Sequence, residues 1–160
     1  MEKIVVENDV FFAQVREMLD AGHQVTIPVK GRSMLPFIRG EKDLVILERA
    51  EGRLEEGDIV LFYVGEEGSG RYILHRVQSL DGDQVDIMGD GVLSSHERVP
   101  REKVYAKVIT ILRDGVRKVD PASPRERRKA LFWKKLLPIR RYLLFAYRHL
   151  PWNAKWLNKK

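Results

Sequence analysis

The chain of 160 residues is 44% hydrophobic and 32% charged, which argues against global disorder and against a polytopic membrane protein. It holds no cysteine, so disulfides, thiol catalysis and thiolate metal sites are excluded. Its net charge of +6 is unevenly spread: residues 125–160 carry twelve Lys or Arg against Glu126 alone, whereas residues 1–124 carry seventeen against twenty-two acids. One globular unit with a basic appendage is expected.

The opening MEKIVVEN reads as a short strand. Asn8 or Asp9 then caps a helix running to about Asp20, with Val10, Phe11, Val15, Met18 and Leu19 on one face. Ala21-Gly22 ends it. From there to about residue 119 the pattern is of short, β-branched runs separated by turns: QVTIPV, DLVILERA, GDIVLFYV, RYILHRVQSL, DQVDIMGD, KVYAKVITILRD and VRKVD. Asp81-Gly82 and Asp114-Gly115 are hairpin signals, because such pairs accept the positive φ that tight hairpins need. GEEGSG at residues 65–70 lacks the lysine and the helix of a phosphate-binding loop and reads as a hairpin tip.

After Pro121 and Pro124 the texture becomes helical. Residues 125–137 and 139–150 each give an apolar stripe flanked by Lys and Arg, with Pro138 in the first turn of the second helix or at a kink. Trp133, Trp152 and Trp156 stand among these basic residues. Two readings of residues 125–160 follow: helices docked on the body with solvated charges outside, or an interfacial anchor for an anionic membrane surface. Nucleic acid is not expected as a partner, since no groove-reading motif accompanies the charge. The organisation is therefore 1–23, strand and helix; 24–120, a β domain; and 121–160, a basic amphipathic helical tail. No run approaches the roughly 18 apolar residues of a spanning helix. The N-terminus lacks the charged start and apolar core of a secretory signal, so a cytoplasmic protein is expected.

Three polar residues stand out in the β body: Ser33 in GRSMLP, His75 in LHRV and Asp90 in MGDGV. A serine hydroxyl needs a base within hydrogen-bond reach, and that base needs a group to orient it and to stabilise its charged form. Serine, histidine and aspartate supply these roles. Each also has a plainer use: Ser33 as a turn former, His75 as a strand residue and Asp90 as a turn between two glycines. His23, His75, His96 and His149 are scattered without ligand spacing, so neither a metal nor another cofactor is expected.

In order along the chain, GRSMLPFIRGEKDLVIL, GDIVLFYV, YILHRV, IMGDGV and VPREKVYAKVITIL resemble the boxes of the type I signal peptidases and of the related SOS-repressor-type self-cleaving proteases. The resemblance spans about residues 25–113. It implies a mainly β, coiled signal-peptidase-like fold between a short N-terminal helix and the basic helical extension. It places Ser33 as nucleophile, with Met34 and Pro36 behind it, and makes Gly57-Asp58-Ile59-Val60 a structural box. His75 falls where the bacterial enzymes and repressors have a lysine base and where the endoplasmic-reticulum, archaeal and sporulation-type enzymes have histidine. Asp90 falls on the acid of the Gly-Asp box, and Asp86 is the second candidate for that role.

The chemistry so implied is acyl transfer on a peptide or protein substrate. His75 takes the Ser33 proton, Ser33 attacks a carbonyl, and backbone N–H groups at the Ser33 turn receive the oxyanion, with Gly31, Met34 and Pro36 shaping that turn. Two departures stand out. Many members carry a donor serine where this chain has Gly31, a loss of roughly 100-fold to 1000-fold in turnover if nothing replaces it. Signal peptidases also have an N-terminal spanning helix, which is not read here, so a cytosolic peptide or regulatory protein suits the site better than a secretory preprotein. Ala21-Gly22 resembles a self-cleavage dipeptide, but a helix-ending glycine is the plainer reading. The competing readings are a catalytically vestigial module that binds a peptide or partner, and a membrane-surface protein acting through its tail.

Overall fold

The computed structural model describes residues 8–149, and the strand expected within MEKIVVEN lies outside them. Helix α1 (Asn8–Asp20) buries Val15 and Leu19, one turn apart, against the sheet. It closes as the sequence indicates. Gly22 takes φ +86°, and the Gly22 and His23 N–H groups return to the Leu19 and Met18 carbonyls.

The body is mainly β, an antiparallel sheet curled into a half-barrel. Its strands are β1 (Val25–Pro28), β2 (Leu44–Arg49), β3 (Ile59–Val64), β4 (Arg71–Asp81), β5 (Gln84–Met88), β6 (Glu97–Pro100), β7 (Val104–Arg113) and β8 (Arg117–Val119). They run in the order β1-β2-β7-β3-β4-β5-β6, with β8 paired to β7. The hairpins expected at Asp81-Gly82 and Asp114-Gly115 join β4 to β5 and β7 to β8, with positive φ at Gly82, Asp114 and Gly115. GEEGSG joins β3 to β4. Strand β6 is an addition to the sequence reading: four residues ending in Pro100 carry too little alternation to register as a strand, and its edge position tolerates the proline.

β3 is buried on both faces, which is why IVLF is an unbroken apolar run. Ile59 and Leu61 enter one core with α1, β1, β2 and β7; Val60 and Phe62 enter a second with Val77, Val85, Ile87, Val99 and Val104. The candidate site lies where these cores meet the loop between β1 and β2.

Beyond β8, Ser123 caps α2 (Pro124–Lys135) by accepting a hydrogen bond from the Glu126 N–H, with Pro124 in the first turn. Pro138 sits in a single 3-10 turn (Leu137–Ile139), and α3 (Arg140–His149) follows. Among the described residues no helix is long and apolar enough to cross a membrane. α2 docks on the body. Arg127 pairs with Asp58 at 2.9 Å and with Glu55 at 3.4 Å, and Lys134 reaches Glu56 at 2.6 Å and the Gln78 carbonyl at 2.9 Å. The Gly57-Asp58 box leads into β3 and also receives the tail through Asp58.

Candidate active site

Ser33 stands in the loop between β1 and β2, and its neighbours explain the loop's form. Met34 and Ile38, on one side of the turn, are buried in the first core, and Leu35 is buried beside them. The base of the loop is pinched by glycines. Gly31 has φ +80°, and a Cβ on Gly40 would collide with the Gly31 backbone. The next residues are locked by Arg39, whose guanidinium bonds buried Asp43 at 2.8 Å and Asp114 at 2.7 Å, while Arg113 reaches Asp43 at 3.2 Å. The Leu35–Pro36 peptide is cis. Burial is how Met34 shapes the turn. Its side chain anchors the turn, so only its backbone is left to meet a substrate.

Ser33 itself is half-buried, and its N–H donates to no other group among the described residues. A free N–H at this point is what an oxyanion site requires. At Gly31 the space that a Cβ would occupy is open, but the left-handed φ penalises any side chain there.

His75 lies on β4 opposite Val60, in the same row as Ile73 and Val77, with its ring 6.1 Å from that of Phe62. By the β4–β5 register its neighbour on the other side is Gly89. A Cβ on Gly89 would stand 2.9 Å from His75 Nε2 and closer still to the Ser33 carbonyl oxygen, distances that real Cβ atoms do not show. The Gly91 N–H donates to that same Ser33 carbonyl at 2.8 Å, and a Cβ on Gly91 would strike the Arg32 carbonyl. The two glycines around Asp90 therefore let backbone lie on backbone. That contact brings the Ser33 turn and the imidazole of His75 to one point.

Asp90 is buried, yet its carboxylate does not hydrogen-bond His75. Arg76 takes it with a fork, Nε at 2.9 Å and Nη2 at 2.9 Å, and His75 Nδ1 is buried without a partner. The reason is parity. Adjacent residues of a strand point to opposite faces, so the face of His75 and Gly89 excludes Arg76 and Asp90. Asp90 acts on His75 through its field alone. Burial pushes the imidazole below its ordinary value of 6.5; the Asp90 charge opposes that shift and Arg71 adds to it. Asp86, the second candidate, accepts from Ser79 at 2.9 Å and faces Arg98 at 3.8 Å, away from His75.

No hydrogen bond joins Ser33 Oγ to His75 among the described residues. What does join the site is the tail. Trp133 Nε1 donates to the Asp90 carbonyl at 2.7 Å, and Arg140 donates to the Val92 carbonyl at 3.0 Å. Phe37 of the Ser33 loop sits under the Arg76 guanidinium at 4.9 Å and edge-on to Trp133 at 6.4 Å. Sequence reasoning passed over Arg76, Gly89, Trp133 and Arg140 as site residues. Arg76 and Gly89 were visible as immediate neighbours of His75 and Asp90, whereas Trp133 and Arg140 carried no local signal.

A cavity of about 300 Å³ opens beneath α2, lined by Arg76, Val77, Asp90, Ala130, Trp133 and Arg140 among others. Neither Ser33 nor His75 lines it, so it is a space under the tail and not a substrate cleft over the serine. Among the described residues no three His, Asp or Glu side chains gather to hold a metal ion. No family model and no curated protein matches the chain.

Proposed function

We propose that the protein is a serine endopeptidase of the signal-peptidase-like type, acting on a cytosolic peptide or protein from a position at the cytosolic face of the membrane. The observation that carries this reading is the meeting of the Ser33 turn with His75 Nε2 at Gly89. A neutral imidazole is a base, and the burial that lowers the His75 pKa keeps it neutral at pH 7. The reading requires Ser33 Oγ to come within hydrogen-bond reach of Nε2 when substrate fills the site, and assigns the free Ser33 N–H to the oxyanion. The residues act as a Ser-His dyad, with Asp90 contributing its charge and Arg76 holding Asp90 in place. The ordered resemblance of the five sequence boxes to the signal peptidases and self-cleaving repressors supports the same assignment.

One observation favours a second reading, a catalytically vestigial module that binds a peptide or partner protein: His75 Nδ1 has no acid to orient it. A fluorophosphonate probe separates the two. The peptidase reading expects covalent labelling of Ser33 that is lost in Ser33→Ala and in His75→Ala, with both variants folded as judged by thermal melting. Absence of labelling in the folded wild-type protein favours the binding module.

A further inference from the structure

The helical tail has two faces of opposite character. Its inner face is committed to the body through Arg127, Ala130, Trp133, Lys134, Arg140 and Leu144. Its outer face carries apolar side chains uncovered among the described residues: Phe132 on α2, Leu137 and Ile139 in the turn, and Tyr142 and Phe145 on α3, with Phe132, Tyr142 and Phe145 exposed at 64%, 70% and 65%, and Leu131 half-exposed at the edge of the cavity beneath α2. These six are more than half of the large exposed apolar side chains among the described residues, and the other five are dispersed over the rest of the body. A patch of this composition on one short segment marks a docking surface.

Charge says what docks. Arg128, Lys135, Arg141 and Arg148 are exposed on the same helices and form no salt bridge among the described residues, and Glu126 is the one acid of the segment. A second copy would bring the same cations against these, and a neutral protein surface would leave them uncompensated. An anionic lipid headgroup layer answers both features, taking aromatic and aliphatic side chains below the phosphates and Arg and Lys at their level.

We infer that the outer face of α2–α3 is a docking surface for an anionic lipid bilayer. This deepens the placement at the membrane face given above and is independent of whether Ser33 is catalytic. Because Trp133 and Arg140 tie the inner face of the same helices to the Asp90–Val92 loop, a bilayer that takes the outer face holds the Ser33–His75 site at a fixed bearing to its surface. The substrate class that suits such a site is a peptide leader presented at the cytosolic side of a membrane.

The test is co-sedimentation of the full chain with vesicles of phosphatidylcholine alone and of phosphatidylcholine with phosphatidylserine. Binding to the anionic vesicles is expected to exceed binding to the neutral ones by about tenfold or more and to fall as salt rises. Phe132→Ser with Phe145→Ser, and separately Arg141→Glu with Arg148→Glu, each weaken it by about tenfold or more while the melting temperature holds. Two variant pairs guard against one of them failing to fold. The Ser33→Ala protein binds like wild type, so loss of catalysis and loss of docking are read apart. The inference is overturned if wild type ignores anionic vesicles, or if the folded outer-face variants bind as well as wild type, which assigns binding to another surface. It is overturned equally if the patch variants abolish a concentration-dependent dimer in sedimentation and leave vesicle binding untouched.

Discussion

Arg76 holds Asp90 in a two-pronged pair at 2.9 Å, and through it the loop on which the Ser33 turn rests. Both side chains are almost wholly buried, so the pair cannot lose one member cheaply. Asp90→Asn leaves the Arg76 guanidinium buried without a counter-charge and is expected to destabilise the fold by about 3–5 kcal/mol in chemical denaturation. In the protein that remains folded, Ser33 labelling by a fluorophosphonate should fall far less than the roughly 10⁴-fold loss seen when a triad acid is removed. A loss of that larger size would make Asp90 the orienting acid and contradict the strand-parity argument.

The pH dependence of the site follows from His75. Burial is the main cause of its lowered pKa, so the basic imidazole persists to more acidic pH than a free histidine would allow. The rate of Ser33 labelling should rise with pH along a limb whose midpoint lies below 6.5. In Asp90→Asn the charge that opposes the shift is gone, and the midpoint moves further down. The same group acts on stability: because the folded state resists protonation, stability is complete above 6.5 and declines as pH falls below it. A limb centred above 6.5 would show that His75 is not the titrating base.

Much of this site was legible in the sequence, and what was not has a definable cause. The alternation of LVILER and the unbroken IVLF gave the strands and their burial, and the turn pairs gave the hairpins, because those signals depend on nearest neighbours in the chain. Ser33 and His75 were legible as residues of one site, and the structure brings the Ser33 turn and the imidazole together at Gly89. The partner of His75 was harder, since it turns on whether Asp90 shares a face with residue 75 or with residue 76. That depends on a register one residue either way. HR beside GD allows both pairings, and the structure has Arg76 with Asp90. The docking of α2 on the Asp90 loop depends on contacts more than forty residues apart, which no local pattern encodes. Ser123-Pro124-Arg125-Glu126, by contrast, was an available helix-start signal.

Gly89 is the closest steric gauge of the site. Its missing side chain is the space in which the Ser33 backbone and His75 Nε2 approach one another. Gly89→Ala must push at least one of them away, and overpacking of this kind costs about 1–3 kcal/mol in stability. A displacement near 1 Å is enough to cost about 100-fold in rate. The variant should therefore melt as a folded protein and label at Ser33 about two orders of magnitude more slowly. Wild-type labelling in folded Gly89→Ala would show that this approach does not matter to catalysis.

Trp133 is the hinge between tail and site. Trp133→Phe keeps an aromatic ring against Phe37 but removes the donor to the Asp90 carbonyl, leaving a buried acceptor short of a partner at a cost of about 1–3 kcal/mol. If the tail positions the loop under Ser33, the slowing of labelling in this variant exceeds what the exposed-face variant Phe132→Ser produces. Equal rates in the two, with both folded, would reduce the tail to a passenger on the body.

The acid limit of the fold should be set at the base of the Ser33 loop. Burial alone would raise the Asp43 pKa, but the bonds from the Arg39 side chain and backbone and from the Asp114 N–H outweigh it and hold the carboxyl below 3.8. A group depressed in the folded state binds fewer protons there than in the unfolded chain. Its contribution is present above 3.8 and is lost as pH falls through the lower folded value. Urea denaturation across this range should show stability dropping below pH 4 in wild type. Asp43→Asn should be less stable at neutral pH, by about 3–5 kcal/mol, with a shallower fall in acid, because the group that titrates there has been removed. An acid limb of unchanged slope in folded Asp43→Asn would place the titrating carboxyl elsewhere.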